Sequence, residues 1–294
     1  MSRLHIPGII DILRVDTATG INEIADDIRF DRHYVKRGPW LNRIILGRIR
    51  TILTLDGVPL PPVAERGNTR PLASQLETEA KLDAIISAGI SGPDVDALAA
   101  YVRGEGDQAR IGALAQQAVG RLFEATYRAD AQSWAAAKVM GQAPSSFNPF
   151  KRLYWWMTGA IVKSRALLAD KIDYDPTGLH ATGVAIHNLV DAFIKMRALY
   201  ADVATRDHHS VHAAIAASMV APKQILRQPV QAGLCPEGEF SANTLVLLQL
   251  QKANLADPGY DTSLMVGSWS QCPAHKWVPA LLGAVWQGAN EGKI

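Results

Sequence analysis

The chain of 294 residues is poor in cysteine, with only Cys235 and Cys272. Two thiols are too few for a disulfide framework, and in a reducing compartment they are expected to stay reduced. An excess of either charge is also missing. Lys+Arg 30 stand against Asp+Glu 28, a formal net charge of +2, which excludes the strongly basic footprint of a nucleic-acid binder. No apolar run approaches the roughly 18 residues of a membrane span. The opening segment MSRLHIPGIIDILRVD is interrupted by Pro7, Gly8 and Asp11, unlike the apolar stretch of a secretory signal. A cytoplasmic protein with no transmembrane segment is the expectation. Absent too are GxGxxG, a Walker loop, HExxH and GxSxG, which removes the easily read dinucleotide, NTPase, zincin and hydrolase classes. No internal period points to a repeat fold.

What is present reads as an ordinary globular protein, 48% apolar and 20% charged, mainly α with a small β-sheet and forming a single α-rich domain over 1–294. Residues 1–70 mix short helical candidates with Pro/Gly punctuation, and Gly57 to Pro62 reads as a surface connection. Helical spacing returns over Leu72–Ile86, Pro93–Tyr101 and Ile111–Tyr127. Asp130 and Ser133 supply an N-terminal cap for the helix carrying Trp134. A long helix is expected from Phe150 to Lys171, another from Asp175-Pro176-Thr177 to Tyr200, and a short one over Val211–Met219. Gln224–Gly233 and Thr244–Gln251 read as a strand pair. Helix resumes over Ala274–Trp286.

Both cysteines precede a proline, which removes a backbone donor and holds the cysteine extended. Cys272 lies in a loop that enters an apolar helix, where helix N–H groups stabilise a thiolate fit for an axial iron ligand; taken alone, it reads first as an inert core thiol, which the loop by itself does not outweigh. Cys235 lies in a strand connection and is the lesser candidate. Ala181, Ala185, Asn188 and Ala192 form a narrow stripe of small residues around one amide, either a face for a flat cofactor or a close helix contact. His208, His209 and His212 read as an exposed polar turn, with metal binding as the alternative.

Taken in order, these segments resemble the cytochrome P450 superfamily over roughly residues 130 to 286. Trp134-x-x-x-Lys138 is similar to that family's WxxxR helix, the Ala181–Ala192 stripe to the long helix crossing the distal haem face, and Pro222–Arg227 to the segment offering a propionate-binding arginine. Cys272 falls at the proximal thiolate. The sequence departs from the family pattern. Met265, Ser268, Ser270 and Ala274 stand at the Phe, Gly, Arg and second Gly of FxxGxRxCxG, no ExxR occurs near Val211–Met219, and the stretch between Trp134 and Ala181 is short.

The resemblance implies a shortened P450-like haem-thiolate fold binding haem b. Cys272 would be the iron ligand, with Trp134, Lys138, Ala181, Ala185 and Arg227 around the cofactor. The distal stripe lacks the family's acid–alcohol pair and offers Asn188. That resembles the members that rearrange fatty-acid hydroperoxides, which implies a small-molecule or lipid hydroperoxide substrate. The alternatives are a monooxygenase-like oxidoreductase served by a redox or oxygenase partner, and a non-catalytic haem-binding scaffold.

Overall fold

The computed structural model describes residues 3–32, 34–60, 73–144, 146, 148–203, 209–256 and 263–291. In chain order the elements are β1 (Arg3–Ile6), β2 (Ile10–Val15), α1 (Ala18–Asp26), β3 (Phe30–Asp31), α2 (Trp40–Ile52), β4 (Thr54–Leu55), β5 (Val58–Pro59), α3 (Ala73–Ala88), α4 (Pro93–Val102), α5 (Ile111–Phe123) and α6 (Ala131–Gln142). Then follow α7 (Pro149–Thr158), α8 (Ala160–Lys171), α9 (Pro176–His180), a π turn (Ala181–Ala185), α10 (Ile186–Ala201), α11 (Val211–Ser218), β6 (Ile225–Pro229), β7 (Gly233–Cys235), β8 (Gly238–Phe240), β9 (Leu245–Leu248), α12 (Leu250–Ala256) and α13 (Trp277–Glu291). They fall into two compact units. One comprises Met1–Arg70 with Ala221–Cys272, the other Pro71–Val220 with Pro273–Ile294.

The first unit is built on a five-stranded sheet of order β1-β2-β9-β6-β3. The expected strand pair is there as β6 and β9, antiparallel with Arg227 opposite Val246. Residues 1–70, expected to hold helical candidates, also contribute three strands to this sheet and two to a separate hairpin. β2 lies parallel to β9, Ile12 opposite Leu245. Ile10 to Val15 is rich in β-branched residues, and the strand form wins because its partner arrives from the far end of the chain. The sheet and the helices α1 and α12 enclose a core of Leu13, Val15, Ile21, Ile24, Phe30 and Leu248. Asp56 and Gly57, both with positive φ, turn a hairpin between β4 and β5, so this segment is more than a surface connection. Asp-Gly is the preferred pair for such a turn, and Leu60 beyond it is fully buried. Pro61, Pro62, Leu72 and His208 lie outside the described residues.

The second unit is helical. Its core gathers α4, α5, α10, α11 and α13, with Tyr200 meeting Trp286 edge-on at 5.8 Å and donating its hydroxyl to the Ala289 carbonyl. The Asp130–Ser133 cap forms as a reciprocal capping box, satisfying two donors at the start of α6. Two expected long helices are interrupted. Gly159, at φ +63, separates α7 from α8, because a left-handed residue ends a helix and glycine adopts it without strain. The helix from Pro176 winds wide over Ala181–Ala185 before α10. Such a π turn shifts the phase of the side chains beyond it.

Candidate functional site

In the first unit, Arg227 occupies an interior strand of the sheet and is buried. Its Nη1 donates to the Leu226 carbonyl at 2.8 Å and its Nη2 to Ser270 Oγ at 2.7 Å. Its Nε has no hydrogen-bond partner among the described residues. The buried Tyr34 donates to the Leu226 carbonyl at 2.9 Å. Arg32 joins this group from the segment after β3. The Arg32 and Arg227 guanidinium carbons stand 4.7 Å and 5.7 Å from the centroid of the Trp269 ring.

Two guanidiniums at one indole repel each other and have lost water. Burial, then repulsion from Arg227, pushes Arg32 down to about 10, against attraction from Tyr34, Asp31 and Cys272. Burial likewise pushes Arg227 down, opposed chiefly by Tyr34. For Tyr34, burial pushes the phenol up while Arg227 and Arg32 pull it back. A cationic pair sustained this way suits an anion, and planar guanidinium forks suit a carboxylate best.

Cys272 ends a loop tied to itself. Its N–H donates to the Leu264 carbonyl at 2.8 Å, the Gln271 N–H to the Ser268 carbonyl at 3.0 Å, and the Gly267 N–H to Gln271 Oε1 at 2.8 Å. Met265 and Gly267 both have positive φ. The left-handed glycine is thus residue 267, one before the position that Ser268 takes in the family pattern. A 3₁₀ turn over Pro273–His275 follows, so helix begins only at Trp277. Cys272 is half-buried, and its attraction to Arg32 is mutual. That guanidinium gives the loop the electropositive setting that reactive cysteines share. Cys235 differs. Its Sγ donates to the Gly238 carbonyl at 3.4 Å within the β7–β8 hairpin, and burial pushes its thiol up, so it packs as a neutral group.

Four of the residues singled out in the second unit lie on two elements that pack together, α6 with Trp134 and Lys138, and the π turn with Ala181 and Ala185. The Trp134 indole rests on Gly112, where an added Cβ would come within 2.2 Å of it, and its ring lies 5.3 Å from that of His187. The exposed Lys138 places its ammonium 5.5 Å from the Trp134 centroid. Ala181 and Ala192 are buried, whereas Ala185 and Asn188 are half-buried, so the stripe is not one uniform face.

The π turn is held by a residue that sequence reasoning missed. Buried Gln116 donates from Nε2 to the carbonyls of Thr182 and Ser133, both at 3.1 Å, and accepts from Ser133 Oγ at 2.8 Å. Thr182 Oγ1 donates back to the Gly178 carbonyl at 2.8 Å. A wide turn opens a carbonyl that an outside donor must satisfy, and Gln116 is that donor. Arg32, Tyr34 and Trp269 were missed as well. No local pattern marks Arg32 as shielded from solvent, since it stands next to Asp31 and near Arg29. Among the described residues no group of three His, Cys, Asp or Glu side chains could hold a metal. None of their helices is long and apolar enough to cross a membrane.

No protein-family model matches the chain. No curated protein matches it either. Solved structures do. The LnmA cytochrome P450 hydroxylase from the leinamycin pathway of Streptomyces atroolivaceus is similar with a TM-score of 0.60 at 16% identity, covering 99% of this chain and 84% of that one. The CYP116B5 heme domain of Acinetobacter radioresistens gives 0.56 at 12% identity, covering 94% and 81%. A P450 heme domain of Tepidiphilus thermophilus gives 0.55 at 12% identity, covering 94% and 80%. At such identities the likeness concerns fold: the chain has a shortened cytochrome P450-like fold, mainly α with a small sheet.

Proposed function

We propose that this P450-like chain is a haem-thiolate enzyme acting on an organic hydroperoxide, a fatty-acid hydroperoxide being the model substrate. The observation that carries the reading is the half-buried Arg32 and the buried Arg227 at one indole, with Arg32 within electrostatic reach of Cys272 and an Arg227 donor left over. These residues fit haem b: the spare Arg227 donor and the two guanidinium charges for its carboxylates, and a cysteine for its iron. Cys272 would be the axial ligand, and Arg227 and Arg32 would hold the propionates, with Trp134 and Lys138 as further polar contacts. Ala181 and Ala185 would offer the flat face, and Asn188 would position the substrate's peroxide oxygen by donating from its amide.

Bound haem with a thiolate ligand supplies electron density that favours O–O cleavage. Everything else falls to the chain. The arginines bind and orient, neutralising carboxylates whose burial would otherwise be costly. The self-bonded loop holds the Cys272 backbone in place. A substrate that brings its own O–O bond requires no acid–alcohol relay, and the stripe contains none.

A second reading is a monooxygenase-like oxidoreductase that uses dioxygen and a redox partner. It is favoured by the hydroxylase named among the similar structures. One experiment addresses both. The purified protein is reduced under carbon monoxide and its spectrum compared with that of Cys272→Ala, and turnover of a fatty-acid hydroperoxide is then measured without reductase. A thiolate-type Soret band lost in the variant, with reductase-free turnover slowed in Asn188→Ala, is expected. A thiolate band with turnover only on adding reductase and dioxygen would favour the second reading. No haem uptake would overturn both and leave a scaffold.

A further inference from the structure

Helix α7 is begun by local chemistry: Asn148 accepts from the N–H groups of Phe150 and Lys151 at 3.0 and 3.1 Å, and Pro149 takes the first helical position. Gly159 ends it. A capped helix of ten residues would ordinarily turn its apolar side inward. This one does the reverse. Trp155 is its only buried residue, at 7% exposure, while Phe150 and Trp156 are each 80% exposed, and Leu153, Tyr154 and Met157 are exposed as well. At 100° per residue, Phe150, Leu153, Tyr154 and Met157 recur at i, i+3, i+4 and i+7, with Trp156 extending the arc. That arc faces away from Trp155, and Lys151 and Arg152 stand at its two borders. Val162 on α8 is exposed too.

Contiguous apolar surface of this kind marks a binding face. The charge pattern indicates what binds there. From residue 131 to 169 the sequence has no Asp or Glu, but has Lys138, Lys151, Arg152, Lys163 and Arg165. An outward arc of Trp, Phe, Tyr, Leu and Met bordered by cations is the composition of a helix lying in the plane of a bilayer interface, with its aromatic rings at headgroup level and its cations on anionic lipid. We propose that α7 docks this protein on the surface of an anionic membrane, with Phe150, Leu153, Trp156 and Met157 entering the acyl boundary.

The test is sedimentation of the full chain with vesicles of phosphatidylcholine alone or mixed with phosphatidylserine. The expected result is binding to the anionic vesicles at least tenfold stronger than to the neutral ones, weakened by salt. It should drop tenfold or more in Phe150→Ser/Trp156→Ser and severalfold in Lys151→Gln/Arg152→Gln. All four side chains project into solvent, so unchanged circular dichroism is expected and separates lost binding from lost folding. Absence of wild-type binding to anionic vesicles at low salt would overturn the proposal, as would equal binding by the Phe150/Trp156 variant. A wild-type dimer in size-exclusion chromatography that the same variant dissolves would assign the face to a second copy of the chain and overturn it too.

Discussion

Replacing Arg32 with methionine should make the haem-free protein more stable. In the unfolded chain the guanidinium keeps the strongly basic character usual for arginine, and in the fold burial and Arg227 bring it down to about 10. The unfolded state therefore holds the proton more tightly, and folding is penalised at every pH below about 10. The penalty fades as pH rises from there toward the usual arginine value. At about 1.4 kcal/mol per tenfold change in proton affinity, the gap corresponds to roughly 3 kcal/mol at neutral pH. The contact with Trp269 at 4.7 Å returns about 1 kcal/mol. Arg32→Met keeps an apolar stem in place and removes the charge, so a net gain of about 2 kcal/mol follows, in line with apolar replacements of buried charges elsewhere. With a urea slope of about 2–3 kcal/mol per M, the unfolding midpoint of the haem-free protein should move up by roughly 0.7–1 M. The same variant should bind haem about tenfold or more weakly, because one carboxylate loses its countercharge. A midpoint that is unchanged or lower in Arg32→Met would refute the reasoning, since it would mean that burial and repulsion from Arg227 do not outweigh the attractions from Tyr34, Asp31 and Cys272.

Three further outcomes follow from the packing. Gln116→Ala leaves the Thr182 and Ser133 carbonyls without their donor and opens a cavity, and should destabilise the second unit by about 3 kcal/mol, read by chemical denaturation. Gly112→Ala drives a Cβ into the Trp134 indole and should cost about 1–3 kcal/mol, accompanied by a change in tryptophan emission. An unaltered spectrum with full stability would contradict the contact. At Asp11, burial alone would raise the carboxyl, but hydrogen bonds from Arg3, Thr244 and His5 and the Arg3 charge bring it below its usual 3.8. Its contribution is thus present above the usual carboxylate range and is lost as pH falls through the lowered value. The stability gap between wild type and Asp11→Asn should be constant near neutrality and close in acid, and a gap that widens in acid would reverse the sign.

The amino-acid sequence by itself determined the features that act over three or four residues. Asp130 and Ser133 cap α6, Asn148-Pro149 and Asp175-Pro176 start helices, Asp56-Gly57 turns a hairpin, and Ile, Leu and Val runs form β6 and β9. Each is a short-range competition between backbone and side chain that is decided before any distant contact forms. Arg227 and Cys272 were singled out through the order of segments in a family resemblance. Tertiary structure alone decided the rest. β2 became a strand because β9 lies beside it, and the π turn persists because Gln116 reaches Thr182 from another helix. Arg32 became half of a cationic pair, half-buried beside the buried Arg227, because the fold sets both at the same indole. A guanidinium's burial depends on which distant segments close over it, and nothing in the run Arg29 to Arg32 records that.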